Sequence, residues 1–252
     1  GGIDSALTAT IAVDALGSNN VVGVALPSKY NTEESLVDAR LLAENLDIEF
    51  KVIEIEEIVN IFRNTLKESV NDELEQITDE NIQSRVRGNI LMALSNQTGA
   101  MVVSTGNKSE MAVGYSTLYG DLAGGFALLK DLYKTEVYNL ANFRNLISSV
   151  IPQNTIDKEP SAELRPDQFD KDSLPEYELL DEILRMYIEE DSSSEKIISK
   201  GIDENIVYDV LSKVDRNEYK RKQVAPGVKL TEKAFGKDRR MPITNTYIRE
   251  RG

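Results

Sequence analysis

Short apolar runs that alternate with helical patterns constrain the fold of this chain more than any other feature of its sequence. The runs cover residues 21–26, 48–55 and 101–105. Apolar residues recur at helical spacing in the segments around them, over residues 5–16, 32–46, 58–70 and 80–96. Strands that alternate with helices predict a doubly wound parallel sheet, in which the run at 21–26 is buried on both faces. Thr32 is the predicted cap of the second helix.

The pattern changes after Lys134, where strand-like runs give way to helices. Helical spacing covers residues 135–147, 176–189, 194–199 and 204–213, and residues 160–175 are irregular. This part of the chain predicts a carboxyl-terminal helical cap on the sheet. We therefore interpret residues 1–252 as one α/β domain.

Charge and composition exclude several classes of function. The chain has 29 basic and 43 acidic residues, a net charge of −14 that repels a nucleic-acid backbone. It has no Cys and no His, which excludes thiol nucleophiles, imidazole bases and the common zinc sites. No apolar run approaches the roughly 20 residues of a membrane span. A cytoplasmic location and no membrane partner are the resulting expectations.

The first residues, GGIDS, stand directly before a predicted helix. Gly1 and Gly2 allow a close backbone approach to a ligand, and a helix start offers free amides to pyrophosphate. Ser5 adds a hydroxyl, and Asp4 is a suitable ligand for Mg²⁺. An ordinary glycine turn with an Asp-Ser cap is the alternative. The loop lacks the GK[ST] ending of kinase-type phosphate loops, so transfer of the γ-phosphate is disfavoured.

The GGIDS loop resembles the SGG-x-DS loop of the N-type ATP pyrophosphatases, which cleave ATP between its α and β phosphates, although the preceding Ser is absent. Further blocks resemble NAD synthetases of the glutamine-dependent branch, at residues 104–119, 120–125, 160–166, 216–221 and 238–242. The resemblance implies an adenine nucleotide alpha hydrolase-like fold. It also implies that the carboxylate of deamido-NAD attacks the α-phosphate of ATP, after which ammonia displaces AMP to give NAD.

The same resemblance implies the residues that bind ATP and metal. Asp4 and Glu110 would hold Mg²⁺ and, with Lys134, form the catalytic group. ATP would contact Gly1, Gly2, Asp4, Ser5, Thr105, Lys134 and Ser161. Thr105 follows a predicted strand, where ligands of open α/β sheets bind. The alternatives are that Glu110 is a solvated helix acid, Lys134 a surface lysine and Ser161 a helix cap.

For deamido-NAD the resemblance implies a set of polar and aromatic residues, namely Asn81, Arg85, Glu110, Tyr115, Ser116, Thr117, Leu118, Tyr219 and Lys220. Arg85 and Lys220 suit the phosphates and carboxylate of a dinucleotide. Alternatively, Arg85 and Arg87 form the exposed face of a helix, or an interface. Ammonia-dependent relatives have Lys and Asp within the segment matching 118–125 and His at the position of Tyr219, so details of their pocket are not transferred.

The glutamine-dependent branch carries a glutaminase domain with a catalytic cysteine, which these residues lack. The expected nitrogen donor is therefore free ammonia, or ammonia derived from glutamine elsewhere. The chain is also expected to lack its first strand and an upstream glutaminase domain, because the phosphate loop of such sheets follows a strand. The resemblance further implies a homodimer or higher homo-oligomer, with residues 81–96 as the contact.

Two competing interpretations remain. Another ATP pyrophosphatase would make GMP, asparagine, argininosuccinate or modified tRNA, but the acidic charge argues against tRNA and the block at 105–125 against the others. A catalytically silent nucleotide-binding domain belongs to a different class. The joint presence of Asp4, Thr105, Glu110, Lys134 and Lys220 argues against it.

Overall fold

The computed structural model describes residues 1–70 and 72–244. In the amino-terminal half the elements are α1 (Ile3–Leu16), β1 (Val22–Ala25), α2 (Glu33–Asn45), β2 (Glu49–Val52), α3 (Glu56–Val70), α4 (Gln76–Thr98), β3 (Val103–Ser104), α5 (Lys108–Val113) and β4 (Phe126–Ala127). They are followed by α6 (Lys134–Ile147), α7 (Gln153–Asp157), α8 (Tyr177–Leu184), α9 (Ser194–Ile198), α10 (Glu204–Arg216) and α11 (Glu218–Arg221).

The strands pair in parallel, as the alternating pattern predicts. β1 pairs with β2 from Val22 opposite Glu49 to Ala25 opposite Val52, and β3 pairs with β4. Within the described residues these are separate two-stranded sheets. The run at 21–26 is not buried on both faces, since Val22 is 45% exposed and β1 is paired along one edge only in this part of the chain. The absence of a first strand stays a prediction.

Local polar contacts decide where the first helices begin. The Thr32 side chain caps α2 by accepting a hydrogen bond from Ser35 N at 3.2 Å, as predicted. α1 begins at Ile3, two residues before the prediction, because Gly2 is extended and its carbonyl accepts the Ala6 N–H at 3.1 Å. Asp4 and Ser5 therefore lie inside the first turn of α1.

Several elements escape prediction because they are too short to show a periodic pattern. These are α5, β4, α7 and α11, of two to six residues. The predicted helix at 176–189 is divided, with α8 ending at Leu184 and a π-helical turn at Arg185–Glu189. Glu190 N donates to Arg185 O at 3.2 Å, which closes the wider turn.

The two largest of the buried apolar clusters form most of the core. One joins α1 to α6 and includes Leu7, Leu129 and Val137. The other fills the space between the carboxyl-terminal helices, where Leu180 and Leu211 are fully buried. This cluster confirms the predicted helical cap. Among the described residues, no helix is both long and apolar enough to cross a membrane.

Candidate active site

The amino-terminal turn of α1 forms one wall of the site. A Cβ on Gly1 would lie 2.3 Å from Ser35 O, so only glycine fits against the start of α2. Gly2 is the N-cap, and Ser5 Oγ donates to Gly2 O at 2.8 Å. The first amides of the 14-residue helix have no carbonyl partner within it, and they carry the positive end of the helix dipole. This turn is suited to bind an anion.

Asp4, Glu110 and Lys134 converge beside this turn, although they lie on three different helices. Lys134 Nζ donates to Asp4 Oδ2 at 2.5 Å and to Glu110 Oε1 at 3.3 Å. The Lys134 side chain is 4% exposed, and those of Asp4 and Glu110 are 17% and 18% exposed. The interpretations of Lys134 as a surface lysine and of Glu110 as a solvated helix acid are therefore wrong.

The protonation of this cluster follows from burial and from its charges. Burial of the carboxyl group, opposed by the Lys134 ammonium, raises the pKa of Glu110 to about 8. Burial alone would lower the pKa of Lys134, but the carboxylates of Asp4 and Glu110 overcome it and raise that pKa. Lys134 is thus a permanent cation that lies against two carboxyl groups.

The cluster is tied together by Asn107, which is fully buried and caps α5. Its Nδ2 donates to Asp4 Oδ1 at 2.9 Å, and its Oδ1 accepts the Glu110 N–H at 3.0 Å. The Asn107 N–H in turn donates to Glu110 Oε2 at 3.3 Å. One residue therefore contacts both acids.

The two carboxylates fit a magnesium ion whose remaining ligands come from the substrate and water. Asp4 and Glu110 offer hard carboxylate oxygens on either side of the Lys134 ammonium, which stands in for the charge of an ion there. Among the described residues, no group of three or more acids gathers to hold a metal alone. Mg²⁺ commonly binds through one or two carboxylates together with phosphate oxygens and water, and this arrangement matches that mode.

A third carboxylate, Asp170, borders the cluster and was not predicted from the sequence. It is buried and accepts a 2.7 Å hydrogen bond from Tyr177 Oη, while its Oδ1 has no protein partner among the described residues. The Tyr177 ring centroid lies 5.2 Å from Lys134 Nζ. Burial and the charge of Asp170 raise the pKa of Tyr115. Asp170 lies in the irregular stretch after residue 160, where no periodic signal marks it.

The predicted deamido-NAD residues come together around the loop that follows α5. Thr117 Oγ1 donates to Asn81 Oδ1 at 2.8 Å, and Arg85 Nε donates to Leu118 O at 3.2 Å. On the other side, Lys220 Nζ donates to Ser116 O at 2.7 Å and to Gly114 O at 2.6 Å. Burial lowers the pKa of Lys220. The loop is thus held between α4 and α11.

This loop crosses α4 at very close range. A Cβ on Gly88 would lie 2.9 Å from the carbonyl oxygens of Tyr119 and Gly120, and one on Gly120 would lie 2.2 Å from Ser84 Oγ. Glycine at both positions allows the backbones to touch. Arg85 and Asn81, one and two turns earlier on α4, are thereby brought to the loop.

Three predicted residues are less closely joined to the cluster. Thr105 directly follows β3, at the expected carboxyl end of a strand. Ser161 Oγ donates to Gln168 O at 2.5 Å and accepts the Glu163 N–H at 3.1 Å, so its described contacts lie within its own loop. It caps no described helix, which makes the helix-cap interpretation wrong. Tyr219 lies on α11 and is 42% exposed.

The raised pKa of Glu110 gives a prediction for the metal-free protein. Between the ordinary carboxyl value of 4.5 and about 8, the folded state holds a proton that the unfolded state has released. The free energy of unfolding must therefore fall as pH rises through this window, by up to about 1.4 kcal/mol per pH unit. We expect Glu110→Gln to lose this slope in urea unfolding with chelator present. The exposed Glu178→Gln should keep it, and equal slopes in all three proteins would contradict the assignment.

Known proteins place this geometry in a family. A model described as NAD synthase matches residues 1–224. The chain is 53% identical over 249 residues to the glutamine-dependent NAD(+) synthetase of Aquifex aeolicus (strain VF5), covering 99% of this chain and 44% of that relative. Its fold matches a glutamine-dependent NAD+ synthetase of Acinetobacter baumannii solved in complex with ADP, with a TM-score of 0.62, 47% identity and coverage of 99% and 45%.

It also matches the NMN synthetase of Francisella tularensis, with a TM-score of 0.73, 28% identity and coverage of 91% of this chain and 85% of that one. The chain spans less than half the length of the curated relative and of the Acinetobacter structure. The family match, the identity and the parallel α/β fold confirm the resemblance seen in the sequence motifs. The chain belongs to the NAD synthase family.

Proposed function

We propose that this chain catalyses the ATP-dependent amidation of deamido-NAD to NAD, with release of AMP and pyrophosphate. The observation that carries the proposal is the pairing of Asp4 and Glu110 around Lys134 at the amino-terminal turn of α1. Family membership, together with the ADP complex formed by the similar Acinetobacter protein, supports the use of an adenine nucleotide.

In this proposal the β- and γ-phosphates of ATP bind the free amides of α1, beside Gly1, Gly2 and Ser5. Asp4 and Glu110 would hold Mg²⁺, which when bound would supply charge that neutralises the leaving pyrophosphate. Lys134 turns from the carboxylates to the phosphates, where its fixed charge stabilises the transition state. Thr105 contacts ATP from the end of β3, and Ser161 does so from its loop.

The proposed chemistry needs no His or Cys, and the chain contains neither. The substrate carboxylate forms a bond to the α-phosphorus, and the bond to pyrophosphate breaks. Ammonia then attacks the acyl carbon of the adenylate, a proton is lost, and AMP leaves with one oxygen of the original carboxylate. The residues hold the two substrates in line, exclude competing water and stabilise developing charge.

Deamido-NAD is proposed to bind along the loop at residues 115–118, between Asn81 and Arg85 on α4 and Tyr219 and Lys220 on α11. The loop is held on both sides by hydrogen bonds from Lys220, Arg85 and Thr117. A preformed loop lowers the ordering cost of substrate binding. Glu110 lies on α5, the helix that leads into this loop, and therefore links the substrate carboxylate to the metal site.

A product assay tests the function. The protein is incubated with Mg²⁺, ATP and ammonium, with and without deamido-NAD, and nucleotides are separated by chromatography. We expect NAD, AMP and pyrophosphate to form together and only when deamido-NAD is present. Nicotinate mononucleotide should be a poor substitute, and glutamine should not replace ammonium for these 252 residues, which contain no Cys. Formation of ADP would contradict the proposal.

Lys220 gives a prediction that is specific to the second substrate. Lys220→Ala removes the ammonium that fixes Ser116 O and Gly114 O. We expect the KM for deamido-NAD to rise by about 10-fold or more, as for a lost charge-assisted hydrogen bond, while the KM for ATP changes little. Lys222→Ala, which removes an ammonium 3.9 Å from Glu218, is the matched control. An unchanged KM for deamido-NAD in Lys220→Ala would reject the assignment.

We also propose that the chain forms a homodimer or higher homo-oligomer through the surface around α4. Large apolar side chains are exposed there, including Ile61 and Phe62 on α3, which packs against α4, and Met92 on α4 itself. Burial of such a surface between two copies is favourable. We expect sedimentation equilibrium at micromolar concentration to give at least a dimer. Replacement of Phe62 by Glu should shift the protein towards the monomer.

A further inference from the structure

We propose that Asn107 is a positioning residue that holds the two magnesium carboxylates, Asp4 and Glu110, at the separation the metal requires. The proposal rests on the proposed function and deepens it, because Asn107 is not among the residues assigned to bind metal, ATP or deamido-NAD. It follows from a set of hydrogen bonds that join α1 to α5 through one fully buried side chain.

The orientation of the Asn107 amide is fixed by its partners. The Glu110 N–H needs an acceptor, so the carbonyl Oδ1 faces the start of α5 at 3.0 Å. The Asp4 carboxylate needs a donor, so Nδ2 faces Asp4 Oδ1 at 2.9 Å. A reversed amide would place two acceptors together on one side and two donors together on the other. Both polar atoms of the Asn107 side chain therefore have a fixed hydrogen-bond partner.

The remaining oxygens explain why this arrangement suits metal binding. The Asn107 side chain donates a hydrogen bond to Asp4 Oδ1, and its backbone N–H donates one to Glu110 Oε2. The other oxygens, Asp4 Oδ2 and Glu110 Oε1, are the ones that contact Lys134 Nζ. Each acid thus has one oxygen held by Asn107 and one directed towards the same cation. In known metal sites, hydrogen bonds from residues that do not touch the metal fix the orientation of its ligands, as Asn107 does here for the two acids.

Helix capping alone does not account for the choice of residue. Ser and Asp cap helices about as well as Asn, but at neutral pH Ser is too short to reach Asp4 and Asp cannot donate to it. Asn at position 107 therefore has two roles, capping α5 and donating a hydrogen bond to Asp4, and only the second requires an amide. A substitution that keeps the cap and removes the donor isolates the second role.

The test measures Mn²⁺ binding by electron paramagnetic resonance in the presence of α,β-methylene-ATP, a probe that does not depend on turnover. Asn107→Ser and Asn107→Asp are compared with wild type. Asp203→Ser is the control, because Asp203 caps α10 through hydrogen bonds from Asn205 N and Ile206 N, neither of which belongs to the cluster. We expect Mn²⁺ affinity to fall about 10- to 100-fold in both Asn107 variants and to stay at the wild-type value in Asp203→Ser.

Mn²⁺ affinity within twofold of wild type in Asn107→Ser would overturn the proposal. Tighter binding in the nearly isosteric Asn107→Asp would also overturn it, because position 107 would then act as a metal ligand. If Asn107→Ser does not fold, Asn107→Asp decides the question. Absence of AMP and NAD in the wild-type product assay would reject the proposed function while leaving the Mn²⁺ comparison intact, so the two failures are distinguishable.

Discussion

Replacement of Asp4 by Asn is expected to reduce turnover by a factor of about 100 to 1,000, the usual cost of losing one pre-organised electrostatic contact in a transition state. The change removes an anionic oxygen from the proposed metal site and almost no volume. The fold should persist, because Lys134 Nζ keeps its contact with Glu110 Oε1 at 3.3 Å and Asn can still accept the hydrogen bond from Asn107 Nδ2. Steady-state kinetics with ATP, ammonium and deamido-NAD measure the effect, and circular dichroism checks the fold.

The matched control for this variant lies on the same helix. Asp14→Asn removes a carboxylate from the other end of α1, where Asp14 pairs with Arg144 at the surface. It should leave turnover within a factor of about two, because exposed ion pairs contribute ~1 kcal/mol or less to stability and Asp14 is remote from the cluster. Glu110→Gln should resemble Asp4→Asn. Near-normal turnover in both Asp4→Asn and Glu110→Gln would contradict the metal site.

Replacement of Lys134 by Met is expected to change metal and nucleotide binding in opposite directions. In the structure the Lys134 ammonium lies where a cation would contact Asp4 Oδ2 and Glu110 Oε1. Because the Lys134 ammonium and a metal ion compete for these two oxygens, Mn²⁺ in the absence of nucleotide should bind more tightly to Lys134→Met. The same change removes a phosphate contact worth about 1.5–3 kcal/mol, so the affinity for ATP should fall about 10- to 150-fold and turnover should be lost.

Calorimetric titrations with Mn²⁺ alone, and with α,β-methylene-ATP and Mg²⁺, measure the two effects separately. Lys130→Met is the control, since Lys130 donates to Ala225 O and does not contact the acids. It should change neither titration. If Lys134→Met bound Mn²⁺ as weakly as wild type, the ammonium would not occupy the metal position in the free protein.

The sequence predicts the parallel α/β class and the helical cap because long apolar patterns determine them. The two-residue strand β4 and the six-residue helix α5 are too short to show a periodic pattern, and the pairing of β4 depends on the distant strand β3. Val22 shows a second limit of prediction from sequence patterns. Its apolar run predicts burial, whereas its actual exposure depends on which strands lie beside it.

The convergence of Asp4, Glu110 and Lys134 is implied by the family resemblance alone, because no local rule relates Asp4 to two residues that are more than 100 positions away, or Glu110 to Lys134 across 24 positions. Asn107 was accessible to sequence reasoning, since Asn followed three residues later by Glu is the spacing of a capping box. What that spacing does not reveal is the bond from Asn107 to Asp4, which requires the fold. No local sequence pattern marks Asp170 as a site residue, because its position depends on the path of the irregular stretch at 160–175.

In the proposed reaction, the substrate carboxylate attacks the α-phosphate of ATP and leaves one oxygen on AMP. Deamido-NAD labelled with oxygen-18 in its carboxylate is incubated with the protein, Mg²⁺, unlabelled ATP and ammonium, and the products are examined by mass spectrometry. We expect each NAD formed to be matched by one AMP that carries a single labelled oxygen, and pyrophosphate to carry none. Unlabelled AMP, or label in pyrophosphate or inorganic phosphate, would contradict it.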